Sequence, residues 1–184
     1  MNIATNPLPY ADKLESRDLS AVHLIVIHCT ELPNLSSARV EGEIPRYPSG
    51  TGNSGHYYVD RNGRVEEYVP VEFIAHHTRG YNPQSIGIEL VNQGRYPDWL
   101  HSKHQDMLEA YAEEQITALL ALIQHLKVTC QNVSLIAGHE DLDRTEVPAT
   151  DDHEILVRRK RDPGPRFPWQ QILAASGLTR HLPT

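Results

Sequence analysis

Two short apolar segments, far apart in the chain, each end on a histidine. VHLIVIH occupies residues 22–28 and ends on His28, and VSLIAGH occupies residues 133–139 and ends on His139. Short apolar runs of this kind predict strands that are buried on both faces. Because functional groups gather at strand ends in open α/β sheets, we expect the two imidazoles to share a site. Taken alone, either histidine could equally be a buried structural residue that hydrogen-bonds a backbone carbonyl.

The composition limits the class of protein and its partners. The chain has 184 residues, 39% of them hydrophobic, which suits one globular domain with a sizeable core. The formal net charge of −7 argues against nucleic acid or an anionic membrane surface as the main partner. No signal peptide or membrane span is apparent, so we expect a cytoplasmic protein, although a periplasmic chain with its signal removed would look the same. The sequence indicates no oligomeric state.

Strand signals alternate with helix signals along the chain, which predicts a mixed α/β domain. Asn62–Gly63 supplies the turn residues of a hairpin, and Pro168 suits the first position of a helix. The predicted elements, in chain order, are an irregular arm at 1–21, a strand at 22–28, a long loop at 30–55, a hairpin at 56–69, a strand at 85–91, an amphipathic helix at 104–127, a strand at 133–139, a polar loop at 140–159 and a helix at 168–176.

Asp162 is the candidate for a third member of the histidine site. It lies in RKRDPGPRFPW, where Pro163 favours an extended backbone at the aspartate. Two imidazoles and one carboxylate around an open position form a catalytic zinc arrangement, whereas structural zinc sites usually have four protein ligands. The wide spacing between His28 and Asp162 matches no short metal-binding signature. The pattern alone therefore gives only a weak indication of zinc.

Five motifs, read together, resemble one enzyme family. They are VIHCT, GHYYVDRNGRVEEYV, AHHTRGYNPQSIGIELVN, AGHEDL and KRDPGP, in this order within residues 22–175. The set resembles the zinc-dependent N-acetylmuramoyl-L-alanine amidases of the amidase-2 family, AmpD type, which are related to T7 lysozyme and the peptidoglycan recognition proteins. The resemblance implies a single α/β domain at 22–176 with a central mixed β-sheet flanked by helices. An arm at 1–21 would precede it, a tail at 177–184 would follow it, and an insert would occupy about 140–159.

The resemblance also implies catalytic roles. His28, His139 and Asp162 correspond to ligands of Zn²⁺, the implied cofactor. Glu89, in IGIEL, corresponds to the catalytic carboxylate, and Lys160 corresponds to the cation beside the reacting carbonyl. Without the resemblance, Glu89 would be interpreted as half of a surface ion pair and Lys160 as part of a solvated basic run.

The predicted substrate cleft contains further candidates and two departures from the family pattern. His77 matches a histidine of the cleft, and Arg79 and Arg161 adjoin matched motifs. We expect one of these arginines to bind the stem-peptide carboxylates, because a guanidinium matches a carboxylate with two parallel hydrogen bonds. Gly55 stands where T7 lysozyme has a catalytic tyrosine, and His76 stands where the AmpD type commonly has a tryptophan.

The implied reaction is hydrolysis of the amide between the lactyl group of N-acetylmuramic acid and L-alanine. The expected substrates are peptidoglycan fragments, in particular the small (anhydro)muropeptides of cell-wall recycling. Two other functions remain as alternatives: a peptidoglycan-binding module without catalysis, and an interaction protein with a structural zinc site. The full set of candidate ligands together with Glu89 and Lys160 favours the enzyme.

Overall fold

A seven-stranded sheet forms the centre of the computed structural model, which describes residues 2–183. The strands of the sheet are β1 (Ile3–Thr5), β2 (Leu24–Cys29), β3 (Tyr57–Val59), β4 (Val65–Glu67), β5 (Ser85–Leu90), β6 (Leu135–Gly138) and β9 (Thr179–Arg180). A separate hairpin contains β7 (Glu146–Pro148) and β8 (Leu156–Arg158), and the helices are α1 (Leu35–Glu43), α2 (Glu113–Thr129), α3 (His139–Leu142) and α4 (Trp169–Ser176). The strand order across the sheet is β1-β4-β3-β5-β2-β6-β9, with β3 and β4 antiparallel and the other neighbours parallel. This arrangement confirms the predicted α/β domain with a central mixed sheet.

The two faces of the central strands have different surroundings. On β5, Ile86, Ile88 and Leu90 point into the main hydrophobic core, where α2 and α4 cover the sheet. Each fully buried aliphatic side chain of this core contributes about 1.5–3 kcal/mol to stability. Successive side chains of a strand alternate between faces, so Gly87 and Glu89 point to the opposite face, as predicted. One face of the sheet thus builds the core and leaves the other face free to form a site.

The predicted strands and hairpin are present in slightly shortened form. Strands predicted at 22–28, 85–91 and 133–139 correspond to β2, β5 and β6. The hairpin predicted around Asn62–Gly63 is β3–β4, and Gly63 has φ +80°, a left-handed conformation that glycine adopts without a side-chain penalty.

Both ends of the chain are more regular than predicted. The arm at 1–21 was predicted to be irregular, but β1 pairs with β4 and two 3₁₀ turns follow it. In the predicted tail at 177–184, β9 pairs with β6. Strands of three and two residues are too short to show a period of two, and distant strands supply their partners. The arm, amidase-domain and tail boundaries themselves stay predictions.

The two segments predicted as loops also contain regular structure. Residues 30–55 include α1, whose first turn is capped by Asn34 accepting from the Ser37 N–H. Only Ala38 and Gly42 of this helix are buried, so its sequence carries almost no apolar stripe. The insert at 140–159 forms the end of α3 and the β7–β8 hairpin.

The prediction of a helix at 104–127 is wrong in its first part, because α2 begins at Glu113. Met107 has φ +48°, outside the helical region, and Leu108 is 70% exposed. Glu109 pairs with Arg61, and Tyr111 donates to the Pro163 carbonyl at 2.7 Å. These long-range contacts override local helix propensity. Among the described residues, no helix combines the length and apolar composition needed to cross a bilayer.

Candidate metal centre and cleft

Three side chains from distant segments converge at one end of the sheet. His28 is the second-last residue of β2. His139 directly follows β6, the parallel neighbour of β2. Asp162 comes from the segment after β8. The Nδ1 atoms of His28 and His139 lie 2.9 and 3.1 Å from Asp162 Oδ2. The candidate ligand atoms all lie within 4.8 Å of one another, and all three residues are buried, so the group could hold a metal ion.

The protonation states of His28 and Asp162 suit a cation. Burial lowers the pKa of His28 to about 4, which leaves the imidazole neutral. Burial alone would raise the pKa of Asp162, but His139 and the hydrogen bond from His28 hold it well below its usual range. Neutral imidazoles and an ionised carboxylate are the forms that bind metal ions. Asp162 Oδ1 is buried without a hydrogen-bond partner, and a bound cation would satisfy this otherwise costly atom.

The backbone of Asp162 is fixed to the first turn of α3. The Glu140 N–H donates to the Asp162 carbonyl at 2.9 Å. Arg158 Nη2 donates to the Glu140 carbonyl at 2.6 Å. Two members of the cluster, His139 and Asp162, are therefore held together by main-chain contacts as well as by their side chains.

A polar network supports the second ring nitrogen of His28. Its Nε2 lies 3.3 Å from Thr78 Oγ1 and 3.1 Å from His77 Nδ1. His77 Nε2 in turn lies 3.2 Å from Ser85 Oγ. A Cβ at Gly87 would lie 2.6 Å from the His77 ring, so only glycine lets this ring pack on the sheet. Such outer partners fix the orientation of a ligating histidine.

The matched motif predicts His77 in the cleft, but the sequence does not identify Thr78 and Ser85 as its partners. Both residues lie inside the matched segment AHHTRGYNPQSIGIEL. Their contacts with the histidines depend on the turn at residues 78–84, which the linear pattern does not specify.

Glu89 points into the same space from β5. It is paired in register with His28 on β2, and its Oε1 lies 3.9 Å from His28 Nδ1. Burial and the Asp162 charge raise the pKa of Glu89 to about 8, against the lowering effect of Lys160. A Cβ at Gly55 would lie 2.8 Å from Glu89 Cγ. The glycine at this departure from the T7 lysozyme pattern therefore makes room for the carboxylate.

A cavity of about 930 Å³ opens above these groups, a size typical of ligand sites. His28, His139, Asp162 and Glu89 line it, together with Lys160. The sequence-predicted catalytic and metal-binding residues thus share one cavity. Other side chains that line it are His77, Arg79, His76, Tyr47, Trp99 and Arg159.

The two candidate arginines differ in placement. Arg79 is exposed and lines the cavity, whereas Arg161 is not among the described residues that line it. Arg161 Nε is buried without an acceptor. Its neighbour Arg159 lines the cavity instead and pairs with Asp143. Adjacency to a matched motif does not specify which of these side chains faces the cavity.

Comparisons with known proteins agree with this geometry. A family profile described as N-acetylmuramoyl-L-alanine amidase matches residues 18–165. N-acetylmuramoyl-L-alanine amidase AmiD of Escherichia coli K12 is 34% identical over 140 residues, which is 68% of this chain but 45% of AmiD. The chain thus spans less than half of that relative.

Solved structures extend the similarity to the fold. The N-acetylmuramoyl-L-alanine amidase LysC from Clostridium intestinale URNW superposes with a TM-score of 0.69 at 20% identity, covering 97% of this chain and 99% of that one. E. coli AmiD, solved with the substrate anhydro-N-acetylmuramic acid-L-Ala-D-γ-Glu-L-Lys, has a TM-score of 0.62 at 28% identity, covering 86% of this chain and 58% of that one.

Proposed function

The chain belongs to the amidase-2 family of N-acetylmuramoyl-L-alanine amidases, and we propose that it hydrolyses the amide between the lactyl group of N-acetylmuramic acid and L-alanine in peptidoglycan fragments. The observation that carries this proposal is the convergence of His28, His139 and Asp162 beside Glu89 in one cavity. Hydrolysis of an amide by water requires activation of the water, which a metal ion can supply, and a nearby group that transfers protons. The cluster could hold such an ion, and the Glu89 carboxyl, whose pKa is raised, could transfer the protons.

Zinc is the ion that we propose for the cluster. Two imidazole nitrogens and one carboxylate oxygen form the donor set of many catalytic zinc sites, and the unpartnered Asp162 Oδ1 supports a cation at this place. Bound Zn²⁺ would lower the pKa of a water molecule and polarise the scissile carbonyl. A purely structural zinc site is less well supported, because such sites usually have four protein ligands and the cluster described within residues 2–183 has three.

Glu89 and Lys160 supply the remaining chemistry in this proposal. Glu89 takes a proton from the attacking water and returns it to the nitrogen of the leaving L-alanine. A cation bound beside Glu89 would lower its raised pKa toward the neutral range, in which a carboxyl both accepts and donates protons. The Lys160 ammonium stabilises the negative oxygen that develops on the carbonyl.

The cleft side chains suggest how the peptide portion binds. Arg79 is exposed beside the cavity, and it lies near enough to Arg159 to lower the pKa of that guanidinium, after the larger effect of burial. We propose that Arg79 binds a stem-peptide carboxylate, since two neighbouring cations favour an anion between them. Arg161 is the weaker candidate because of its placement outside the cavity lining. His77 contacts the His28 ring at 3.1 Å and also lines the cavity, so in this proposal it orients His28 and stays a candidate for contact with the substrate.

Small soluble muropeptides are the proposed substrates, with a cytoplasmic role in their recycling. The net charge of −7 disfavours adsorption to an anionic wall polymer. The solved complex of E. coli AmiD with an anhydromuramyl tripeptide supports this substrate class for a relative that is 28% identical.

Digestion of a purified anhydromuramyl tripeptide, with products resolved by mass, tests the proposal. We expect anhydro-N-acetylmuramic acid and a free tripeptide from the zinc-loaded protein, and slower release from intact sacculi. The alternative, a peptidoglycan-binding module, predicts tripeptide binding without any cleavage. Faster digestion of sacculi than of the soluble fragment would contradict the proposed substrate class while leaving the reaction in place.

A further inference from the structure

A buried ion pair joins the loop after β5 to the end of β2. Arg95 Nε donates to Glu31 Oε1 at 2.6 Å, and Arg95 Nη2 donates to Glu31 Oε2 at 2.9 Å. The two side chains are 1% and 8% exposed. Glu31 closely follows His28 in the sequence. A two-bond contact between a guanidinium and a carboxylate fixes orientation as well as distance.

The same guanidinium holds the backbone that leads to Lys160. Arg95 Nη1 donates to the Arg158 carbonyl at 2.9 Å, and Nη2 donates to the Arg159 carbonyl at 3.2 Å. Asp162, on the other side of Lys160, is held separately by the first turn of α3. Arg95 therefore fixes the backbone of the two residues before Lys160 without holding the metal cluster itself.

Arg95 lines the cavity but has no donor left for a substrate. A guanidinium has five N–H donors. In Arg95 these reach both Glu31 oxygens, the two carbonyls described above and Gln105 Oε1 at 3.3 Å. All five donors of Arg95 thus bind acceptors within the protein, whereas the Arg79 side chain is exposed.

The backbone of Glu31 itself has an unfavourable conformation, which the contacts of its side chain help to hold. Glu31 has φ +50°, a left-handed conformation that a non-glycine residue rarely adopts. A Cβ at Gly94 would lie 2.7 Å from Glu31 Cγ, so the loop approaches this side chain as closely as glycine allows. The Trp99 indole N–H donates to the Glu31 carbonyl at 3.1 Å. Strained backbone of this kind persists where the surrounding contacts hold it, and such residues are common at functional sites.

We propose that Arg95, clamped by Glu31, is a positioning residue that places the Lys160 ammonium beside the reacting carbonyl. The proposal rests on the proposed amidase function and adds to it a connection that none of the five matched motifs contains. Arg95 takes no part in the chemistry. It transmits the position of the β2 end, which carries His28, to the segment that carries Lys160.

Arg95→Lys is the variant that tests this role. Lysine keeps a positive charge opposite Glu31, but its single ammonium cannot serve the carboxylate and both carbonyls in the geometry of the fork. We expect kcat on the anhydromuramyl tripeptide to fall about 10–100-fold, since a displacement of roughly 1 Å in a reacting group has effects of this size. KM and the zinc content per chain should not change. In a Lys160→Met background, Arg95→Lys should cause no further loss, because the group that it positions is gone.

Arg61→Lys is the matched control. Arg61 makes the same two-bond contact with Glu109, at 2.6 and 3.0 Å, and also donates to a backbone carbonyl, that of Pro33, at 2.8 Å. It does not line the cavity, so kcat should stay at the wild-type value. Should Arg95→Lys fail to fold, Glu31→Gln gives the same comparison.

Two results would overturn the proposal. An equal loss of kcat from Arg95→Lys with and without Lys160 would mean a general structural role. A raised KM with normal kcat would mean that Arg95 binds substrate. A zinc-loaded wild-type protein without amidase activity would instead refute the proposed function on which this inference rests.

Discussion

At the scale of single residues, a substitution of Glu89 distinguishes a role in proton transfer from a role in metal binding. Its carboxylate lies 3.9 Å from His28 Nδ1 and is not one of the three clustered ligands. Glu89→Gln keeps the shape and removes the base, so kcat should fall by about 10²–10⁴-fold while zinc content stays the same. The control is Glu43→Gln, which alters an exposed carboxylate paired with Arg39 on α1. Loss of zinc from Glu89→Gln, or a nearly normal kcat, would assign Glu89 a structural role.

The sequence predicted which candidate residues come together in this cavity better than it predicted the residues that hold them in place. His28 and His139 stood out because apolar strands end on them, and Asp162 because of its place before Pro163 and its match to the KRDPGP motif. The Glu31–Arg95 pair spans 64 positions and has no periodic or motif signal. A buried ion pair of this kind is specified only when the fold brings the two segments together.

At the scale of elements, the β3–β4 turn offers a direct test of packing against α2. Gly63 and Gly80 both have φ +80°, but a Cβ at Gly63 would lie 2.9 Å from the Glu114 carbonyl, whereas one at Gly80 would meet nothing within 4 Å. Gly80→Ala should lower the free energy of unfolding by about 1–2 kcal/mol from the backbone conformation alone. Gly63→Ala should lower it by roughly 1–3 kcal/mol more, because α2 must move. Urea denaturation of the two variants measures the difference, and equal losses would contradict this packing.

Element prediction succeeded where burial was two-sided or a turn residue was diagnostic, and failed where tertiary contacts decided the structure. The strands β2 and β6 carry apolar runs, β5 alternates isoleucine and leucine with Gly87 and Glu89, and the hairpin turn carries Asn62–Gly63. The start of α2 was misplaced because the ion pair of Glu109 and the hydrogen bond of Tyr111 hold the preceding segment in a non-helical path. No apolar stripe marked α1, since only Ala38 and Gly42 of this helix are buried.

At the scale of the whole molecule, His56 links stability to pH. The His56 Nδ1 accepts the Gly87 N–H at 3.0 Å, which requires that nitrogen to be unprotonated. Burial, and then Arg17, lower the pKa of His56 to about 3. A histidine whose pKa is lower in the folded than in the unfolded state stabilises the fold fully above pH ~6.5, and this contribution is lost as the pH falls toward the folded-state pKa.

We therefore expect His56→Asn, which keeps an acceptor but does not titrate, to flatten the pH dependence of unfolding. Between pH ~6.5 and ~4.5 the free energy of unfolding of the wild type should fall by up to about 1.4 kcal/mol per pH unit more than that of the variant. Urea denaturation at several pH values measures both slopes, with His125→Asn on the exposed face of α2 as the control. Identical slopes for wild type and His56→Asn would show that the ring is not held neutral.

Stepwise return of Zn²⁺ to the chelated protein, followed by the rate of anhydromuramyl-tripeptide cleavage, tests the central claim most directly. If His28, His139 and Asp162 hold the catalytic ion, the chelated protein is inactive, and activity rises linearly with added zinc until about one ion is bound per chain. Asp162→Ala should neither retain zinc nor regain activity under the same titration. Full activity of the metal-free protein, or normal zinc binding and turnover by Asp162→Ala, would contradict the account.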